Sequence, residues 1–344
     1  MRFPVGLGLI GLFSMIGAAA ESWPEVVQKV EIPAASDAET AQPALFWKAK
    51  SPEPRPLLVA LHTWSGGYDQ TGSSLPYWRW CQREGWHFLQ PHFQGPNRKP
   101  NAMGSDTAVE DIVRAVQWAR ENCAVDEQRV YLIGVSGGGH MAMLMAGRHP
   151  EMWTAVSAWC GISDIAAWHR QCTENSQFGK YAKDIEAALG GAPEGNAVRQ
   201  KDAAHRSPLT FLAAARGLPL DLAAGLHDGR AGSVPFSHSL RAFDGVAEPE
   251  HRLEEAGIEA FYSRQVPPEI VGELDDPTYP SDKAPRFRRI SGNCRVTIFE
   301  GGHEIVHSAA LNWLAAQRRG QTVVWRPAEV KPVPVSAAEG QSGL

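Results

Sequence analysis

The residues best equipped for chemistry lie in Gly134-Val135-Ser136-Gly137-Gly138. An apolar, β-branched run, Val130 to Val135, leads into this G-x-S-x-G pattern, and small and apolar residues from Met141 to Gly147 follow it. Glycines at 134 and 138 permit a sharp strand-to-helix turn that larger residues would block. Such a turn lifts the Ser136 hydroxyl above the sheet edge and aims a helix N-terminus at the group it attacks. A serine hydroxyl is a poor nucleophile until a base takes its proton, and the base needs an orienting carboxylate. In a strand–turn–helix setting these partners follow in the order Ser, Asp or Glu, His.

The sequence supplies that order. The apolar run Leu220–Leu226 ends at His227-Asp228-Gly229, and Arg295–Phe299 ends at Glu300-Gly301-Gly302-His303. His303 is therefore the expected general base and Asp228 the expected orienting carboxylate. Asp164, which also follows a strand-like run, competes for the second role, whereas Asp221 lies inside a strand and Asp244 far along a helix. Two backbone N–H donors must meet the oxyanion of a tetrahedral intermediate. Gly137, next to the serine, is one expected donor. The other is Trp64, in the loop His62-Thr63-Trp64-Ser65-Gly66-Gly67 after the run Leu57–Leu61.

A second motif competes for the same histidine. His303-Glu304-Ile305-Val306-His307 spells H-E-x-x-H, which on a helix presents two imidazoles to zinc. Gly301-Gly302 directly before it places His303 in a loop instead, and no C-x-x-C occurs, so neither a metal nor another cofactor is expected. Five cysteines (81, 123, 160, 172, 294) allow at most two disulfides, with Cys160–Cys172 the preferred pair from proximity in sequence. Substrate contacts are expected from Trp159 and Trp168, whose indoles, with Trp64, could offer a stacking platform or simply pack. His62 and His92, at two strand ends, are further candidates to line the pocket.

The elements that must position these residues alternate between strand and helix patterns, which predicts an α/β domain whose mostly parallel sheet has helices on both faces. The strand-like runs are Leu57–Leu61, Trp86–Gln90, Val130–Val135, Thr154–Trp159, Leu220–Leu226 and Arg295–Phe299, with antiparallel edges near Val26–Ile32 and Ala44–Lys48. A capping box at Thr107 and Glu110 opens the clearest helix, with Val109, Ile112, Val113 and Val116 as its buried stripe. A last helix is expected from about Ser308 to Gln317. Two stretches break the alternation, about 163–217 and 236–291, and both read as insertions that build a cap over the site. Residues 321–344, with Pro327, Pro332 and Pro334, read as a loosely attached tail after a catalytic domain spanning 21–320.

Composition fits this picture. The chain has 344 residues, 43 % hydrophobic and 21 % charged, with a net charge of −5, which does not suggest nucleic acid as a partner. Arg2, the apolar run Val5–Ile16 and Ala18-Ala19-Ala20 form a signal-peptide pattern over about 1–20. That predicts export to the periplasm or beyond, with no membrane association after cleavage. Oligomeric state is left open.

Taken together, Gly134–Gly138, Asp228, His303 and the loop at 62–67 closely resemble the α/β-hydrolase superfamily. The resemblance runs from about Arg55 to Gln317 and is strongest to prolyl-oligopeptidase-like peptidases and to secreted carbohydrate esterases of the acetylxylan and feruloyl type. Glu300-Gly301-Gly302-His303-Glu304 is similar to the esterase histidine loop, and Arg206-Ser207-Pro208 to the peptidase branch. It implies triad catalysis without a metal, on a small-molecule or glycan ester, with a peptide substrate as the alternative. A zinc peptidase and a non-catalytic binding module are remoter readings. Two positions depart from the family pattern. His62-Thr63 stands where relatives read H-G, and Ala231 occupies the usual acid position of H-G-x-x-D, leaving Asp228 as the only carboxylate of that loop.

Overall fold

The computed structural model describes residues 21–33, 41–268 and 273–334; the signal-peptide pattern lies outside them. Nine strands form one sheet: β1 (Gln28–Pro33), β2 (Ala41–Trp47), β3 (Arg55–Leu61), β4 (His87–Pro91), β5 (Val125–Val135), β6 (Ala155–Trp159), β7 (Leu220–Gly225), β8 (Pro285–Ser291) and β9 (Cys294–Phe299). Their spatial order is β1-β2-β4-β3-β5-β6-β7-β9-β8. The six from β4 to β9 in that order run parallel, while β1 and β2 at one edge and β8 at the other are antiparallel. Central strands are buried on both faces, as their unbroken apolar runs require.

Helices cover both faces: α1 (Ser74–Glu84), α2 (Asp106–Asn122), α3 (Gly137–Arg148), α4 (Ile165–Glu174), α5 (Gly179–Leu189), α6 (Ala197–His205), α7 (Ser237–Val246), α8 (Glu255–Arg264) and α9 (His307–Ala316). Val109, Ile112 and Val116 of α2 are buried, and Val113 partly so. The helix starts earlier than the capping-box reading, because the Ser105 hydroxyl accepts the Ala108 N–H and Thr107 is already helical. Among the described residues no helix is long and apolar enough to cross a membrane.

The two interrupting stretches differ. Residues 163–217 carry α4, α5 and α6 and form their own apolar cluster, in which Ile165, Trp168, Phe178 and Ile185 meet Trp64 of the first loop. Residues 236–291 contain α7, which packs on β7 and β9, and β8, which closes the sheet edge. Reading that whole stretch as a cap is therefore corrected: much of it belongs to the central layer. The tail is corrected too over 321–334. Trp325 stacks on Trp313 at 5.9 Å, its carbonyl accepts from Arg295, and Lys331 pairs with Glu84. All five cysteines are free thiols, so Cys160 and Cys172 are not bridged. Cys160 sits below the acid and histidine loops, whereas Cys172 belongs to the helical cluster.

Candidate active site

Ser136 occupies the turn between β5 and α3 with φ 60° and ψ −122°, a strained conformation for a residue with a side chain. Such strain costs on the order of 1–3 kcal/mol and survives only where the surroundings enforce it. Here the Ser136 N–H donates to Trp159 O at 2.8 Å and the His140 N–H to Ser136 O at 2.9 Å. Gly134 must be glycine, since a Cβ there would stand 2.2 Å from Gly138 O. Ser136 and His303 line one open cavity of about 720 Å³, together with Thr63, Trp64, Gln70, Tyr181, Glu304 and His307.

Asp228 and His303 meet below this cavity. Asp228 follows β7, is fully buried, and its Oδ2 lies 2.8 Å from His303 Nδ1. Its Oδ1 accepts from the N–H groups of Gly229 (3.0 Å) and Val234 (3.2 Å), so the carboxyl group is held from both sides. The sheet dictates the meeting, because β7 and β9 are parallel neighbours whose C-terminal ends coincide. Gly232 packs against both residues and has no room for a Cβ. The loop is thus rebuilt around Asp228, with Ala231 turned back to the His227 carbonyl. Asp164 is employed elsewhere: its side chain caps α4 by accepting the Ala167 N–H at 2.9 Å.

The histidine loop is braced by charge. Glu304 Oε1 accepts from Lys283 Nζ (2.6 Å) and from the Gly302 N–H (3.1 Å). Burial alone would raise the Glu304 carboxyl, but these two donors outweigh it and hold it below the ordinary range. Cys160, with φ 48°, sends its thiol toward Glu304 O at 3.3 Å, and burial together with the Asp228 charge pushes that thiol well up.

The two expected oxyanion donors are neighbours in space. A Cβ on Gly137 would stand 2.4 Å from Trp64 N, so only glycine lets the two loops close. Among the described residues the Trp64 N–H meets no acceptor, whereas the N–H and hydroxyl of Thr63 both donate to Gln70 Oε1 (3.0 and 2.7 Å). Gln70 was not singled out by sequence, and its only signal was its place just past the glycine-rich loop.

The remaining candidates fall away from the cavity. His62 is fully buried, bonded through both ring nitrogens to Thr63 O and His92 O and stacked on Phe93, and burial lowers it to about 4. His92 packs against Gly67 and Gly95 under the loop. Trp159 is core, against Tyr279 and Phe299, and Trp168 is buried against Trp64. No indole platform faces solvent at these positions, and the partly buried Tyr181 joins Trp64 in lining the cavity.

The zinc string is not helical until its last residue. His303 and Glu304 are loop residues, and His307 opens α9 with its Nε2 on Ser73 O at 2.9 Å. Among the described residues the group able to offer three metal ligands within 4.8 Å of one another is Cys160, Asp228 and His303. In it, Asp228 and His303 already bond each other and the thiol is buried.

Comparison with known proteins fits this geometry. A model described as the prolyl oligopeptidase family matches residues 100–255, a range that holds Ser136 and Asp228. An acetylxylan esterase of Coprinopsis cinerea is 30 % identical over 130 residues, covering 34 % of each chain. Feruloyl esterase B of Thermothelomyces thermophilus is 28 % identical over 119 residues, covering 31 % of this chain and 40 % of that one. The chain thus spans well under half the length of these curated relatives. Among solved structures, a puromycin-hydrolyzing peptidase of Mycobacterium tuberculosis superposes with a TM-score of 0.56 at 16 % identity, over 90 % of this chain and 42 % of that one. An acylaminoacyl peptidase of Pyrococcus horikoshii gives 0.50 at 17 % identity, over 65 % and 35 %.

Fold and matches together define an α/β-hydrolase. Residues 100–255 are similar to the prolyl oligopeptidase family, and about a third of the chain is similar to the two esterases, so the matches are prolyl-oligopeptidase-like and esterase-like.

Proposed function

We propose that this protein is an exported carboxylic ester hydrolase acting through Ser136, His303 and Asp228, on acyl groups carried by carbohydrate. The observation that carries the triad is the 2.8 Å contact between His303 and the buried Asp228, in a histidine that shares its cavity with the strained Ser136. His303 Nε2 takes the Ser136 proton as the hydroxyl attacks the carbonyl, while Asp228 holds Nδ1–H and balances the imidazolium. The oxyanion is received by the N–H groups of Gly137 and Trp64. His303 then protonates the leaving alcohol, and water repeats the sequence to release the acid.

The carbohydrate assignment is supported by the esterases among the relatives and by the open cavity, whose lining includes Thr63, Gln70, Ser73 and Glu304, side chains able to meet hydroxyl groups. Export is supported by the leader pattern at 1–20. A serine peptidase is the second reading, favoured by the description of the matching family. It uses the same triad on an amide.

The test compares kcat/KM of wild type and Ser136→Ala on a chromogenic acetyl ester and a chromogenic dipeptide anilide. Ester cleavage that falls by about four orders of magnitude in the variant, with negligible anilide turnover, supports the esterase. Anilide turnover dependent on Ser136 moves the assignment to peptidase. Turnover of either substrate that survives in Ser136→Ala overturns the triad.

A further inference from the structure

We propose that Asp184, on α5 of the first interrupting stretch, is a positioning residue that sets the Trp64 N–H as oxyanion donor. This rests on the triad and oxyanion reading above. In the loop at 62–67 the expected donor is a tryptophan set between Thr63 and Ser65, ahead of the two glycines, and what its side chain touches fixes its geometry. The enforcement is visible on three sides of Trp64.

The first side is the indole. Trp64 Nε1 donates to Asp184 Oδ2 at 3.2 Å, and that oxygen also accepts from Lys180 Nζ at 2.8 Å, whose ammonium reaches Ser65 Oγ at 3.3 Å. One carboxylate on α5 therefore ties down two consecutive residues of the loop. The second side is the ring face, packed edge-on against Trp168 with centroids 4.7 Å apart. Trp168 Nε1 in turn donates to Ser233 O at 2.8 Å, in the loop that carries Asp228. The third side is the backbone, where Trp64 O accepts the Asn97 N–H at 2.9 Å.

With carbonyl, indole and ring all fixed, the one polar group of Trp64 without an acceptor among the described residues is its N–H, beside Gly137. Preorganised donors are worth most when they need no reorientation as charge develops. Of the three anchors, only the Asp184 carboxylate can be altered without opening a hole in the apolar cluster, since its side chain is partly exposed.

The experiment measures kcat and KM on the acetyl ester for wild type, Asp184→Ala, Asp184→Asn, Trp64→Phe, Asp184→Ala/Trp64→Phe and Ser136→Ala, with melting temperature in parallel. Asp184→Ala is expected to lower kcat about tenfold with KM nearly unchanged, a fraction of what losing an oxyanion donor outright costs. Asp184→Asn keeps an acceptor oxygen for the indole and should restore kcat to within about threefold of wild type. Trp64→Phe should show most of the kcat loss of Asp184→Ala, and the double variant no more loss than Asp184→Ala, because the indole bond that Trp64→Phe removes is among those Asp184→Ala removes. Affinity for a trifluoromethyl ketone, which forms the tetrahedral adduct, should fall in parallel with kcat, while a purely structural role would move only the melting temperature. An unchanged kcat in Asp184→Ala, an additive double variant, or an asparagine as poor as alanine overturns the inference. If Asp184→Ala is silent while Ser136→Ala is inactive, this inference alone fails; an active Ser136→Ala removes the reading beneath it.

Discussion

The two stretches that interrupt the strand–helix alternation look alike in sequence and behave differently in space. Residues 163–217 add nothing to the sheet; their helices gather around Trp168, take in Trp64, and bring Tyr181 to the cavity wall. Residues 236–291 supply an edge strand and a sheet-covering helix, and no described residue among them lines the cavity. The first stretch reaches the cavity wall, and the second belongs to the scaffold that holds the loops of Asp228 and His303. Its Lys283 pairs with Glu304 beside His303, and its Tyr262 hydroxyl donates to Gly229 O beside Asp228.

The difference can be tested from the scaffold side first. Arg288 on β8 is almost fully buried, with Nη2 on Asp276 Oδ2 at 2.9 Å and Nε on Thr297 Oγ1 at 3.1 Å. Arg288→Ala strands a buried carboxylate and should cost about 3–5 kcal/mol of unfolding free energy in urea. The folded fraction should keep its KM. A raised KM would mean the second stretch shapes the cavity after all.

The next largest effect lies where the two stretches touch. His238 on α7 accepts the Ser163 N–H at Nδ1 (3.2 Å) and bonds Gln171 of α4 through Nε2 (2.9 Å). Burial, helped by the Arg241 charge, lowers it to about 3. Its folded value lies below the ordinary one near 6.5, so the unfolded chain takes up the proton first as pH falls. Its contribution is complete above about pH 6.5 and is lost progressively on acidification toward 3. Between pH 7 and 5 this amounts to about 2 kcal/mol, and His238→Gln should flatten the urea-measured pH dependence by that amount. An unaltered slope would show that the contact between the stretches does not carry the acid sensitivity.

The smallest effect separates substrates. Tyr181→Ala should raise KM for an aryl-acyl ester about fivefold, by removing the aromatic wall, and leave the acetyl ester nearly untouched. Equal effects on both would place Tyr181 in the support of the loop rather than in substrate contact.

Much of this was legible in the sequence. The serine turn, the chain order of Asp228 and His303 and the parallel strands all follow from local rules: glycine at a tight turn, apolar runs, and carboxylate or histidine just past a strand end. What was not legible depends on partners distant in the chain. Strand β8 reads as part of a charged cap insertion because Arg286, Arg288 and Arg289 interrupt it, and only the pairing of Arg288 with Asp276 and Thr297 makes its burial acceptable. The tail reads as loose because its prolines are visible, whereas the bond of Trp325 to Arg295 and its stacking on Trp313 are not. Trp159 and Trp168 suggested a platform because an indole serves stacking and packing equally well, and only the tertiary neighbours decide between them. His62 was similarly ambiguous until both ring nitrogens were seen to be spent on backbone carbonyls.

The most direct test of the central claim is covalent. Wild-type protein treated with a fluorophosphonate should take up one label per chain, on the peptide carrying Ser136, with loss of ester turnover in proportion. His303→Ala should slow that labelling by about three orders of magnitude, since the hydroxyl then lacks its base. A label on another residue, or labelling at the same rate without His303, would contradict the account.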